Sequence, residues 1–200
     1  MRKTGLTNQT VERLMLDSGV VYLNYDSPTK RTKLGACRGG NEFSVTAEMR
    51  DMPFDGAGGL VQGARRIIST TATLTVNLVE ISKEILKIAI PGAEYTNVGA
   101  AKDEAGTAIT GETYYEIKRA IEKTIPDFEF TDVAIVAEMS GTKAPVICCL
   151  KNAMAGGELN LSFSDADESV LKITFTGSIS PDALEDEPWF IRLPEKTGTV

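Results

Sequence analysis

Apolar and polar residues alternate with a period of two along much of the chain, the spacing that turns one face of a strand to a core and the other to water. Phe43, Val45, Ala47 and Met49 are separated by Ser44, Thr46 and Glu48, with Glu42 and Arg50 at the ends. Ala72, Leu74, Val76 and Leu78 alternate with Thr71, Thr73, Thr75 and Asn77. The same rhythm returns at Leu159, Leu161 and Phe163, and at Leu171, Ile173 and Phe175. One wet face per strand is the mark of antiparallel sheets. Residues 20–25, 133–137 and 146–150 are apolar at nearly every position and are expected to be central strands. The predicted fold is mainly β: an antiparallel β-sandwich or barrel.

One short helix is predicted over residues 82–90. Ser82 suits the N-cap, Glu84 lies in the first turn where the helix dipole favours a carboxylate, and Ile81 with Leu86 can form a hydrophobic staple. Ile85, Leu86, Ile88 and Ala89 make its apolar face, and Pro91-Gly92 stops it. Two turns are marginal alone, so this helix must pack on a sheet. Two stretches look irregular. Residues 51–63 (DMPFDGAGGLVQG) join two long strands and carry four Gly and one Pro, whereas a hairpin connection usually needs about 2–5 residues. Residues 92–111, rich in Gly, Ala and Thr, are expected to be an irregular insertion. With an N-terminal arm over residues 1–17, the 200 residues fit one domain.

Composition narrows the chemistry. There is no His, so Ser-His-Asp and Cys-His mechanisms and His-ligated metals are excluded. Cys148-Cys149 lies inside an apolar run and, with Cys37, is expected to behave as a small hydrophobe. The run from Asp165 to Ser169 resembles the start of an EF-hand loop, but Val170 and Thr176 stand where that loop needs Gly and Glu; an acidic turn between strands is expected instead. Gly56, Gly58 and Gly59 are not followed by the Gly-Lys-Ser/Thr of a phosphate loop. Arg65-Arg66 on a strand edge suits a solvated face or a subunit contact. The formal net charge of −7 argues against wrapping nucleic acid. No apolar window of 18 residues or more exists and the Met-Arg-Lys start lacks an apolar segment, so neither a spanning helix nor a secretion signal is expected, and the three Cys fit synthesis in a reducing cytoplasm. Catalytic, cofactor and metal residues are all expected to be none.

Several stretches together resemble the major tail tube proteins of long-tailed siphophages and related prophages of Gram-positive bacteria. They are LMLDSGVVYLNY (residues 14–25), LGACRGGNEFSV (34–45), the Asp55-Gly56 loop, ARRIISTTATLTVNLVEIS (64–82) and the Pro91-Gly92-Ala93 helix stop. DVAIVAEMSGTKAPVICCLKNAM (132–154), ELNLSFSDADESVLKITFTG (158–177) and PDALEDEPW (181–189) follow in order. The resemblance implies subunits that close into hexameric rings and stack into a hollow tube in the virion tail. Viral DNA then passes through an acidic lumen without specific binding, and the further partners are tape measure, tail terminator and distal tail proteins. By position, residues 51–63 match the loop that stacks rings, with Phe54 and Leu60 as apolar anchors and Asp51, Asp55, Gly56, Gly58, Gly59, Arg65 and Arg66 around them. Long alternating strands add an independent reason for assembly, because exposed sheet edges must be protected or paired.

Three other readings stay open on the sequence. The inner tube of a contractile tail or a type VI secretion-like needle would have a similar fold. A monomeric ligand-binding β-barrel would need an enclosed apolar cavity. A carboxylate-dependent hydrolase would need one Asp/Glu pair set apart from the rest, and no pair stands out.

Overall fold

The structure, a computed structural model, describes residues 10, 13–15, 17–119, 125, 129–161 and 168–195. Its elements in chain order are β1 (Val20–Leu23), β2 (Thr32–Lys33), β3 (Glu42–Asp51), β4 (Arg65–Leu78), α1 (Lys83–Ala89), β5 (Ala93–Lys102), β6 (Ala108–Arg119), β7 (Thr131–Glu138), β8 (Pro145–Ala155), β9 (Leu171–Thr176) and β10 (Trp189–Arg192). All strand pairs are antiparallel, as the one-sided alternation requires.

Two layers share one strand. The first runs β2-β1-β7-β8, with β10 on the other side of β8. The second runs β9-β4-β3 and is joined to the first where Met154 and Ala155 of β8 pair with Thr176 and Phe175 of β9. The change of layer has a local cause. Asn152 sits in the left-handed region (φ 46°), and the β7–β8 register slips between Thr131 and Val133. Asp132 Oδ1 accepts from the Asn152 N–H at 3.2 Å and steadies this bend. Bulges of this kind bend a strand and sharpen its twist, which lets one strand serve two sheets.

The core lies between the layers. β4 buries Ala72, Leu74, Val76 and Leu78, and β9 buries Leu171, Ile173 and Phe175. The ladder sets Leu74 opposite Phe175, Val76 opposite Ile173 and Leu78 opposite Leu171. Val21 and Leu23 of β1, Val133 of β7, and Leu150 and Ala153 of β8 meet them from the other layer. Each fully buried large side chain contributes about 1.5–3 kcal/mol.

α1 closes one end. Its N-cap is Ser82, whose Oγ accepts from the Ile85 N–H at 3.2 Å, and Ile85 and Ala89 are buried. The sequence places this helix correctly, and β3, β4, β7, β8 and β9 stand where alternation or apolar runs predict strands.

Two expectations are corrected. Residues 92–111 are no irregular insertion: they lie in the β5–β6 hairpin, turned where the Asp103 and Thr107 backbones bond to each other and Gly106 N–H donates to Asp103 C=O. Leu159 and Leu161 do not form the predicted strand; Leu161 makes a single bridge to Leu171. Phe163, most of the acidic turn (Asp165 to Asp167) and most of the N-terminal arm lie outside the described residues.

Candidate assembly surface

Two ribbons leave the sandwich, and both are exposed. The first is the outer part of the β3–β4 hairpin. β3 pairs with β4 along its whole length, but β9 covers β4 only at residues 73–78. Among the described residues, 46–51 and 65–71 therefore have each other as ladder partners and no third strand. Such a two-stranded ribbon is marginal in water unless something else covers it.

The end of this ribbon is closed by Asp51 and Arg65. Arg65 Nε donates to Asp51 Oδ1 at 2.6 Å and Nη2 donates to Oδ2 at 3.2 Å. This fork holds the Asp51 carboxyl below its usual range, first through the hydrogen bond and then through charge, and raises Arg65 in the same way. Beyond it the Met52 N–H donates to the Ala64 C=O at 2.9 Å, so the neck of the loop is pinned on both sides. A turn from Phe54 to Ala57 follows, with Gly56 at φ 83°, a conformation that needs no Cβ. Phe54 is 55% exposed and Leu60 74% exposed, and Val61 is exposed beside them. Asp55, Gly58 and Gly59 lie in the same exposed loop.

Behind the loop, the β3–β4 register slips between Glu48 and Met49: Glu48 faces Ser69, Met49 faces Ile67, and Ile68 is left unpaired. Such a bulge re-aims side chains. Here Ile67 and Ile68 line one open recess of about 400 Å³ together with Arg50, Met52 and Arg66. Arg50 and Arg66 are direct cross-strand partners, a like-charge pairing that is unfavourable in a sheet. Among the described residues neither makes an ion pair.

The second ribbon is β5–β6. It touches the body chiefly through α1. Tyr95 and Tyr115 meet edge to face with centroids 5.8 Å apart, and Lys83 Nζ of α1 lies 4.0 Å from the Tyr115 centroid and 5.2 Å from that of Tyr95. Tyr115 beside it holds the Lys83 ammonium above the usual lysine range. Lys87 adds a longer contact to Tyr95. Val98, Ile109 and Tyr114 are exposed along the ribbon.

The structure thus brings Asp51 and Arg65 together, sets Arg66 against Arg50, and leaves Phe54 and Leu60 outward in one loop. The sequence reading overlooked Met49, Ile67, Ile68 and the whole second ribbon. One signal was present: alternation breaks at Arg66-Ile67-Ile68-Ser69 just before it becomes regular.

Cys149 is buried, and burial, then the charges of Asp132 and Asp26, push its thiol up to about 12. Burial also raises Cys37 and Cys148. Thiols shifted in that direction make poor nucleophiles. An open recess of about 310 Å³ lies near α1, lined by Leu23, Lys87, Ile88, Thr131 and Met154 among others.

No protein-family model matches the sequence, and no curated protein matches it as a relative. In three dimensions the chain is similar to chains of three solved assemblies. One is the tail of an empty gene transfer agent particle with C6 symmetry (10% identity, 82% of this chain and 92% of the other, TM-score 0.43). Another is the virion of a native gene transfer agent particle (11% identity, 82% and 92%, TM-score 0.43). The third is the extended sheath–tube complex of an extracellular contractile injection system (10% identity, 95% and 99%, TM-score 0.46).

Proposed function

We propose that the chain is a structural subunit of a phage tail tube, whose copies close into hexameric rings and stack into a hollow conduit for DNA in a long non-contractile tail. The observation that carries this reading is the β3–β4 arm: a ribbon without a third strand among the described residues, ending in a loop that holds Phe54 and Leu60 in solvent. A lone monomer gains nothing from apolar side chains placed there, whereas a neighbouring copy would bury them. The loop residues Asp51, Phe54, Asp55, Gly56, Gly58, Gly59, Leu60, Arg65 and Arg66 are assigned to the contact between rings. Contacts of this kind join unlike surfaces, closing in one direction and remaining open along the axis.

The ordered resemblance of the sequence to siphophage tail tube proteins supports the same reading, and a net charge of −7 suits a wall past which DNA must slide. Tape measure, terminator and distal tail proteins are the partners such a tube requires at its ends and within its lumen.

Electron microscopy of the purified protein over a range of concentrations tests the proposal. Rings or tubes of uniform width are expected. A species that stays monomeric at every concentration, alone and with an initiator complex, overturns it. Binding of a sheath protein to the outer wall of the tube would assign the chain to a contractile machine instead.

A further inference from the structure

The recess behind the loop poses a local conflict: Arg50 and Arg66 are direct cross-strand partners beside the exposed Ile67 and Ile68, and among the described residues no carboxylate pairs with either guanidinium. Such a pairing costs the sheet some stability and leaves two guanidiniums open to a partner from outside. What would fill the recess must be anionic at its rim and apolar at its centre.

Among the described residues, the segment that follows β9 offers a surface of that kind. Between β9 and β10, Ala183 N–H donates to Ser180 C=O and Asp186 N–H donates to Ala183 C=O, which folds residues 180–186 into two successive turns. Leu184 stands out of these turns at 73% exposed. Asp182, Glu185 and Asp186 flank it in sequence, all exposed and, among the described residues, none in an ion pair. The turns are anchored from below, because Glu187 accepts from Thr70 Oγ at 3.0 Å and from Trp189 Nε1 at 2.7 Å. The knob is therefore presented by a fixed segment.

We propose that the recess of Arg50, Met52, Arg66, Ile67 and Ile68 receives the Leu184 turn of a second copy of this chain. Leu184 covers Ile67 and Ile68, and Asp182, Glu185 and Asp186 face the two guanidiniums. Arginine forks favour carboxylates, and excluding water around an apolar centre strengthens the charge pairing at its rim. Recess and knob are different surfaces of one chain, so the contact can repeat head-to-tail, the type a ring or a stack needs. The inference rests on the tail-tube reading above and names where one subunit grips the next.

The experiment uses two charge-reversed proteins, Arg50→Glu/Arg66→Glu and Glu185→Lys/Asp186→Lys. All four positions are exposed, and circular dichroism with thermal melting checks that both variants fold as the wild type does. Sedimentation reads assembly. Each variant alone is expected to lose assembly by roughly tenfold or more, because like charges meet across the contact. An equimolar mixture is expected to recover it, since the acidic recess of one then meets the basic knob of the other. Either variant assembling alone as the wild type does, or a mixture that stays unassembled while the wild type assembles, overturns the pairing and leaves the tube reading in place. A wild type that never assembles overturns both.

Discussion

Leu74 of β4 and Phe175 of β9 face each other across the ladder, and both are almost wholly out of solvent. Phe43 of β3 flanks Leu74 from the other side. Three strands of one layer thus meet at a single apolar site, so this is where the layer should be least tolerant of change. Leu74→Ala is expected to lower unfolding free energy by about 2–5 kcal/mol, and Leu74→Asp to prevent folding, since a buried charge would be left unpaired. Chemical denaturation of the first variant and the solubility and circular dichroism of the second check this. A loss below about 1 kcal/mol for the alanine variant would contradict the packing.

The loop beyond β3 should behave in the opposite way. Phe54 touches solvent, and residues 55–59 lie past the pinned neck, so removing them takes little from the fold. Phe54→Ala, or deletion of residues 55–59, is expected to leave the melting temperature within a few degrees of wild type, roughly the scatter of surface changes, while abolishing polymerisation seen by electron microscopy. Normal tubes from either variant would remove the loop from the contact.

Asp51 supplies a pH-dependent element. The Arg65 fork lowers its folded pKa, so the bridge contributes stability above the ordinary carboxylate range and that contribution fades as pH falls through the lowered value. The pair is exposed, so the contribution is small and weakens with salt. A carboxyl-detected NMR titration should place the Asp51 midpoint below the ordinary 3.8, and Arg65→Ala should return it upward. An unchanged midpoint in that variant would mean that the fork does not form in solution.

Lys83 should hold the β5–β6 ribbon to the body, because its ammonium lies over both ring faces and α1 is the ribbon's main support. Lys83→Ala is expected to speed hydrogen exchange of the amides around Tyr95 and Tyr115 a few-fold, with the sandwich core unaffected. Lys83→Arg should retain most of the protection. Equal exchange in all three proteins would show that the ribbon is held some other way.

The parts of the fold legible in the sequence are those with a buried face. β4 and β9 alternate because every second residue enters the core, and α1 announces itself through Ser82 and the apolar stripe ending at Ala89. The β5–β6 hairpin was illegible for the complementary reason. With both faces mostly wet, nothing forces a period on its Gly, Ala and Thr residues, and Gly99 at φ 115° marks a bulge that breaks what rhythm remains. Leu159 and Leu161 erred the other way, since alternation alone does not supply a ladder to join. At the candidate surface the loop stood out by its length and glycines. Ile67 and Ile68 did not, because an isoleucine in a strand reads as core until the neighbouring strand is found to be missing.

That β8 runs through both layers has a mechanical consequence. A force on the β3–β4 arm along its length reaches the body through the β4–β9 ladder, where residues 73–78 pair with 171–176. The strands lie parallel to the pull, so their hydrogen bonds are sheared together instead of opening one after another. From β9 the load passes at Met154 and Ala155 into β8, and from there to β7 and β1. The arm is therefore a tie-rod anchored in every layer of the subunit, and a column of such subunits would carry tension without any one sheet sliding over the other.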